Sequence, residues 1–203
     1  MRRIEFFFDC SSPWTYLAFH RIEAIARAGA AELSWRPILV GGVFNQVNAS
    51  VYEQRANPTP AKLRYYGKDL ADWARLYGIS IGMPSVFPVN SVNAMRACFV
   101  ALEHDCLPAF ARGVFEAYWG RDVDISQPDA LAALARDAGL DSIEVADKIA
   151  RPAYKQKLRD NTDELIERGG FGTPTIFVDG NDMYFGNDRL PLVEEALGAG
   201  TRT

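Results

Sequence analysis

Ser12-Pro13-Trp14-Thr15 opens a helical pattern directly behind the short apolar run Ile4 to Phe8. A helix that starts at the end of a strand presents unpaired N–H groups and the positive end of its dipole. Together these favour an anion by about 0.3–1 kcal/mol, and by roughly 2 kcal/mol in sheltered geometry. A thiolate is one such anion. Cysteines at positions 12 and 15 would make a dithiol redox site, but the chain has serine and threonine there, and its nearest thiol, Cys10, comes two residues too early. Ser12 therefore reads either as a plain N-cap or as a hydroxyl that serves a charge at the helix start.

Two later stretches could join it. Gly172-Thr173-Pro174-Thr175 stands just before a β-branched run, and a cis bond at Pro174 would turn the Thr173 N–H and C=O outward to pair with an extended peptide. Only about 5–6% of X–Pro bonds are cis, so the residues alone favour trans. Tyr184-Phe185-Gly186-Asn187-Asp188-Arg189 reads as a turn with an Asp cap on a final helix, or as an amide-and-carboxylate cluster able to grip a zwitterion.

The elements that must position these residues are legible in outline. Ile4 to Phe8 is a short, nearly continuous apolar run, interrupted at Glu5, the pattern of a central strand covered on both faces. Ser12 to Gly29 is a helix with proline at its first position, and Leu33 to Leu39 is a second strand, completing a β-α-β unit. A block of helices follows: Thr59 to Gly78, Ser91 to about His104, Pro108 to Gly120, Pro128 to Gly139, a start at Asp141 with Glu144 in capping-box spacing, and about Pro152 to Arg168. Asn45 to Asn57 is left as a long loop. Thr175 to Val178 and Met183 to Phe185 pair as a hairpin around Asp179–Asp182, and a last helix begins at Asn187-Asp188. The order β-α-β, helices, β-β-α is that of an α/β thioredoxin-like fold with a large all-helical insertion. We divide it as residues 1–44 and 161–203 for the thioredoxin-like part and 45–160 for the insertion.

Composition excludes several classes. The net charge is −4 with no run of like charges, which argues against a nucleic-acid surface. No window is apolar enough for a membrane span or a signal h-region. Cys10, Cys98 and Cys106 have no metal-type spacing and suit reduced thiols in a cytoplasmic protein. His20 and His104 lack a spaced ligand partner, so no metal is expected. Trp14, Trp35, Trp73 and Trp119 read as core.

Six stretches, "FFFDCSSPWTYLAFHRI", "ILVGGVFN", "PAKLRYYGKDLADWARLYGI", "FPVNSVNAMRA", "GGFGTPTIFVDG" and "MYFGNDRL", cover nearly the whole chain in order. On these the sequence resembles the 2-hydroxychromene-2-carboxylate isomerases and the related kappa-class glutathione transferases, of the DsbA-like thioredoxin group. The resemblance implies glutathione as cofactor, with Ser12 beside its sulfur, Thr173 ahead of a cis Pro174 pairing with its cysteinyl part, and Phe185, Gly186, Asn187 and Asp188 at its γ-glutamyl end. By the same likeness Lys62 faces the glycine carboxylate and Asn48, or a neighbour, supplies an active-site amide. The implied activity is glutathione-dependent isomerisation of a small aromatic or conjugated carbonyl substrate by a cytoplasmic homodimer. A kappa-like transferase, a DsbA-like oxidoreductase using Cys10, and a non-catalytic binding module are the alternatives.

Overall fold

The computed structural model describes residues 1–198. Strand β1 (Arg2–Phe8) lies inside a four-stranded sheet of order β2-β1-β3-β4, parallel to β2 (Ala31–Pro37) and antiparallel to β3 (Thr175–Val178), which pairs antiparallel with β4 (Asp182–Phe185). The apolar residues Ile4 and Phe6 to Phe8 follow from that position, because both faces are covered. Ile4, Phe6 and Phe8 point into the larger core with Leu17, Phe19 and Ile22 of α1 (Pro13–Ala28). Phe7 points the other way, into a smaller core with Ile38, Val43, Leu165 and Phe177.

The second strand begins and ends two residues earlier than the alternation suggests. Ala30 takes a φ of 47°, reversing the chain at once behind α1, so that Ala31 is already opposite Arg2. Pro37 closes the ladder opposite Phe8. The segment expected to be a loop is instead two short helices, α2 (Val40–Val47) and α3 (Ser50–Ala56). Neither has a side-chain N-cap, so the usual start signal is missing.

Helices α4 (Pro60–Tyr77), α5 (Val92–Glu103), α6 (Leu107–Phe115), α7 (Pro128–Asp137), α8 (Ser142–Ala150) and α9 (Pro152–Glu167) follow close to their expected places. Four of these six carry proline in the first turn, the position where its missing N–H costs nothing. The helix expected through Gly120 changes at Glu116 into a π-helical turn, Glu116–Gly120. That turn aims the indole of Trp119 inward, where its Nε1–H donates to the Cys10 carbonyl at 2.9 Å. Glu103 ties the block together, accepting from Lys148 of α8 at 3.0 Å and from Lys157 and Tyr154 of α9 at 2.6 Å each. Burial raises its pKa, but these three partners outweigh that and hold it near about 2.

After β4 come a 3-10 turn, Asn187–Arg189, and α10 (Leu190–Ala196). The expected cap does not form. Asp188 pairs with Arg189 and α10 starts from Arg189 with no side-chain cap.

Candidate active site

The end of β1 delivers Asp9, Cys10, Ser11 and Ser12 to the start of α1. Ser12 is the N-cap, its Oγ accepting from the Thr15 N–H at 3.2 Å. Its own proton is directed at the Thr173 carbonyl, at 3.4 Å, which is long for a hydroxyl donor. The hydroxyl hydrogen is therefore held weakly and can turn to a better acceptor. The positive end of the α1 dipole lies at the same point.

Thr173 is buried and precedes a cis Pro174, so the trans bond favoured by base rates is not the one present. Its Oγ1 donates to the Phe7 carbonyl at 3.1 Å and lies 3.0 Å from Thr15 Oγ1. A threonine hydroxyl has one proton, so with Thr173 donating to Phe7, Thr15 is the donor in the second pair. The position that would hold a second redox cysteine is thus a fully buried hydroxyl engaged with the cis-proline loop.

Asp9, which the sequence marked only as the end of a strand, holds this corner together. Its carboxylate accepts from the Ser11 N–H at 2.9 Å, the Val40 N–H at 2.9 Å and the Ser91 hydroxyl at 3.1 Å. The segment before Ser12, the start of α2 and the start of α5 therefore meet on one side chain. Complete burial raises the Asp9 pKa, and the three donors pull against that rise. Ser91 serves this carboxylate and makes no side-chain cap of its own helix.

Cys10 is fully buried; its N–H donates to Met95 Sδ at 3.3 Å. Burial, and then the adjoining Cys98 thiol, push its pKa well above the usual value, the reverse of what a nucleophilic cysteine needs. His20 meets the Tyr16 ring edge-on, with centroids 4.9 Å apart, and burial, with Arg112 nearby, lowers its pKa to about 4. His104 does have a carboxylate neighbour, Glu144 at 3.1 Å. Among the described residues no group of three or more side chains is placed to hold a metal.

The other residues singled out from the sequence converge unevenly. Gly172 lets the Phe185 ring close over the Thr173 loop: a Cβ there would come within 2.8 Å of Phe185 Cε2. Phe185 packs against Phe171 with ring centroids 4.5 Å apart. Gly186 has a φ of 105° and donates its N–H to the Pro174 carbonyl at 3.0 Å, joining the two loops. Asn187 is buried, and its Nδ2 has no hydrogen-bond partner among the described residues, while Asp188 is half exposed beside Arg189. Asn48 ends α2 and donates to the Phe171 carbonyl at 3.1 Å, so it braces the same loop with an amide that is already engaged. Lys62 is exposed on the first turn of α4, one turn before Tyr66 on the same face. Tyr66 meets the edge of Trp14 at 5.4 Å, which brings this face beside the start of α1.

A serine capping a helix beside a cis-proline loop, on this sheet order, defines a thioredoxin-fold site without its thiols. The chain belongs to the DSBA-like thioredoxin domain family, which matches residues 3–198. Within it, the chain sits with the 2-hydroxychromene-2-carboxylate isomerases: it is 32% identical to the enzyme of that name from Pseudomonas sp. (strain C18), over 96% of this chain and 90% of that one. It is 29% identical to human glutathione S-transferase kappa 1, covering 97% and 91% of the two chains. A solved 2-hydroxychromene-2-carboxylate isomerase superposes with a TM-score of 0.80 at 28% identity, over 97% of this chain and 94% of that one.

Proposed function

We propose that the protein is a glutathione-dependent isomerase acting on a small aromatic or conjugated carbonyl compound. The observation that carries this reading is the loosely held Ser12 hydroxyl at the α1 N-terminus, 3.4 Å from the Thr173 carbonyl, in a site whose nearest protein thiol is sealed in the core.

The residues present fit a bound γ-glutamyl peptide. Ser12 and the helix end favour a negative sulfur, and the loop at Thr173 and Pro174 suits an extended backbone. Phe185, Gly186, Asn187 and Asp188 offer a cradle for the γ-glutamyl end, in which Asn187 Nδ2 is a buried donor still lacking an acceptor. Leaving such a donor unpaired costs about 1–3 kcal/mol, which a bound carboxylate relieves. Lys62 supplies positive charge for the opposite end. Asn48 positions the loop through Phe171.

The chemistry glutathione supplies when bound is a thiolate nucleophile for reversible addition to the acceptor's conjugated double bond, freeing that bond to rotate. Ser12 and the helix end must provide the ionisation. A thiol of pKa about 8.5 is roughly 3% ionised at pH 7, and lowering it by two units takes about 2.7 kcal/mol. The dipole alone falls short of that. A hydrogen bond from Ser12 to the charged sulfur, worth about 1.5–3 kcal/mol, makes up the difference. Thr15, through Thr173, keeps the loop at a fixed distance from Ser12, and Asp9 fixes the segment that precedes it.

Cytoplasmic location, a homodimeric state and a role in breaking down aromatic compounds belong to the same reading. Calorimetric titration with glutathione, followed by product analysis, tests it. Saturable binding with glutathione recovered unchanged after turnover supports the isomerase. A released conjugate makes it a transferase, and the absence of both binding and turnover leaves a binding module.

A further inference from the structure

Arg55 forms no ion pair or hydrogen bond among the described residues, yet aromatic rings hold it in place. Its guanidinium carbon lies 5.3 Å from the Phe44 ring centroid and 5.7 Å from that of Phe87. Two such cation–π contacts together restrict an otherwise free side chain. A guanidinium held over ring faces keeps its N–H donors for a planar anion, the geometry in which arginine binds carboxylates through two parallel hydrogen bonds.

Both rings lie against segments that adjoin Ser12 and Thr173. A Cβ on Gly172 would lie 3.8 Å from Phe44 Cε1, and Gly172 directly precedes Thr173. Phe87 packs against Trp119 at 6.2 Å, and Trp119 donates to the Cys10 carbonyl. The loop carrying Phe87 is pinned by Tyr118, whose hydroxyl donates to the Val86 carbonyl at 2.9 Å, and by the Gly82 N–H, which donates to the Trp119 carbonyl at 2.7 Å. From a third side Arg55 acts on Tyr66: burial raises the Tyr66 pKa, while the Trp14 indole and the Arg55 charge draw it down. Trp14, two residues beyond Ser12, meets that Tyr66 ring. An unpaired cation thus stands among flat apolar surfaces converging on the Ser12 corner.

We infer that Arg55 selects an acceptor bearing a carboxylate on a flat conjugated skeleton, binding the carboxylate while Trp14, Tyr66 and Phe87 cover the plane. The inference rests on the glutathione-dependent reading for what the acceptor meets at Ser12. It names the residue that discriminates among acceptors and is independent of the groups assigned to the cofactor. Arg55 is a specificity residue and takes no part in ionising sulfur.

The test is a titration of the glutathione-saturated protein with trans-cinnamate and with its neutral isostere trans-cinnamamide, repeated for Arg55→Gln and Arg55→Lys. The wild-type protein should bind the acid at least about tenfold more tightly than the amide, the margin of a charge-assisted hydrogen bond. Arg55→Gln should abolish that preference, and Arg55→Lys should keep part of it. Glutathione affinity should stay within about twofold in both variants. Retention of the preference in Arg55→Gln overturns the inference. So does a loss of glutathione affinity of tenfold or more, which assigns Arg55 to the cofactor's own carboxylate. Failure of the wild-type protein to bind glutathione sinks the functional reading instead, and the acid-over-amide preference, measured then without glutathione, still decides the role of Arg55.

Discussion

The Ser12 hydroxyl and the Thr173 carbonyl oxygen lie 3.4 Å apart across 161 residues of sequence. One belongs to the helix behind the first strand and the other to the loop before the third. Only the antiparallel pairing of β1 with β3, Phe7 opposite Thr175, brings them together.

Ser12→Ala should lower turnover by roughly 10- to 150-fold, the value of a charge-assisted hydrogen bond of about 1.5–3 kcal/mol. The pKa of bound glutathione, followed by thiolate absorbance, should rise by about one to two units for the same reason. Cys10→Ala should keep most of the activity, because its sulfur is enclosed and disfavoured as a thiolate. The reverse pattern would make Cys10 the nucleophile.

Asn187→Ala and Asp188→Ala should weaken glutathione binding more than they slow the reaction at saturating glutathione. Their stabilities should also hold. Asp188 caps nothing, and Asn187→Ala removes a buried amide nitrogen that has no partner. Thermal melts alongside calorimetry separate the two effects. A rate that stays low at saturation refutes the assignment to binding.

Gly172→Ala should disturb the site without touching a polar group. The new methyl would meet Phe185 Cε2 at 2.8 Å and Cζ at 3.1 Å, so the ring must swing away from the Thr173 loop. An increase of tenfold or more in the glutathione dissociation constant, with secondary structure by circular dichroism unchanged, is the expected result.

Asp9→Asn should alter how stability depends on pH. The Asp9 pKa in the folded protein lies above its usual value of 3.8 because the carboxylate is buried. Its contribution is thus fully present below the unfolded pKa and is lost as pH rises through the folded one. Urea unfolding at several pH values from about 3 to 7 should show the wild type losing stability relative to Asp9→Asn as pH rises. Parallel curves would show that the carboxylate titrates alike in both states.

The strands and most helices were legible because their signals are local. Apolar runs, prolines in first turns and closing glycines mark β1, α1, α4, α7 and α9 without tertiary information. Helices α2 and α3 escaped because no side chain caps either of them, and α3 in addition buries no residue, so it has no apolar stripe to read. Asp9 escaped for the opposite reason. A carboxylate after five largely apolar residues looks like the end of a strand, and only the assembled fold shows three donors from three elements closing around it. Of the site, the positions of Ser12, Thr173 and Pro174 were readable as motifs, whereas the crossing of Phe44, Phe87 and Arg55 depends on how α2, α3 and the loop before α5 lie against one another.

The hydroxyl pair of Thr15 and Thr173 also bears on how far this site stands from a dithiol one. Ser12→Cys alone would place a sulfur at the helix start with no second protein thiol at position 15 to close a disulfide. Thr15→Cys alone would break the bond to Thr173 and gain no partner. Neither single step yields a protein dithiol. The Ser12 and Thr15 hydroxyls therefore stand two substitutions away from a protein dithiol, and the second of them also costs the bond that ties α1 to the cis-proline loop.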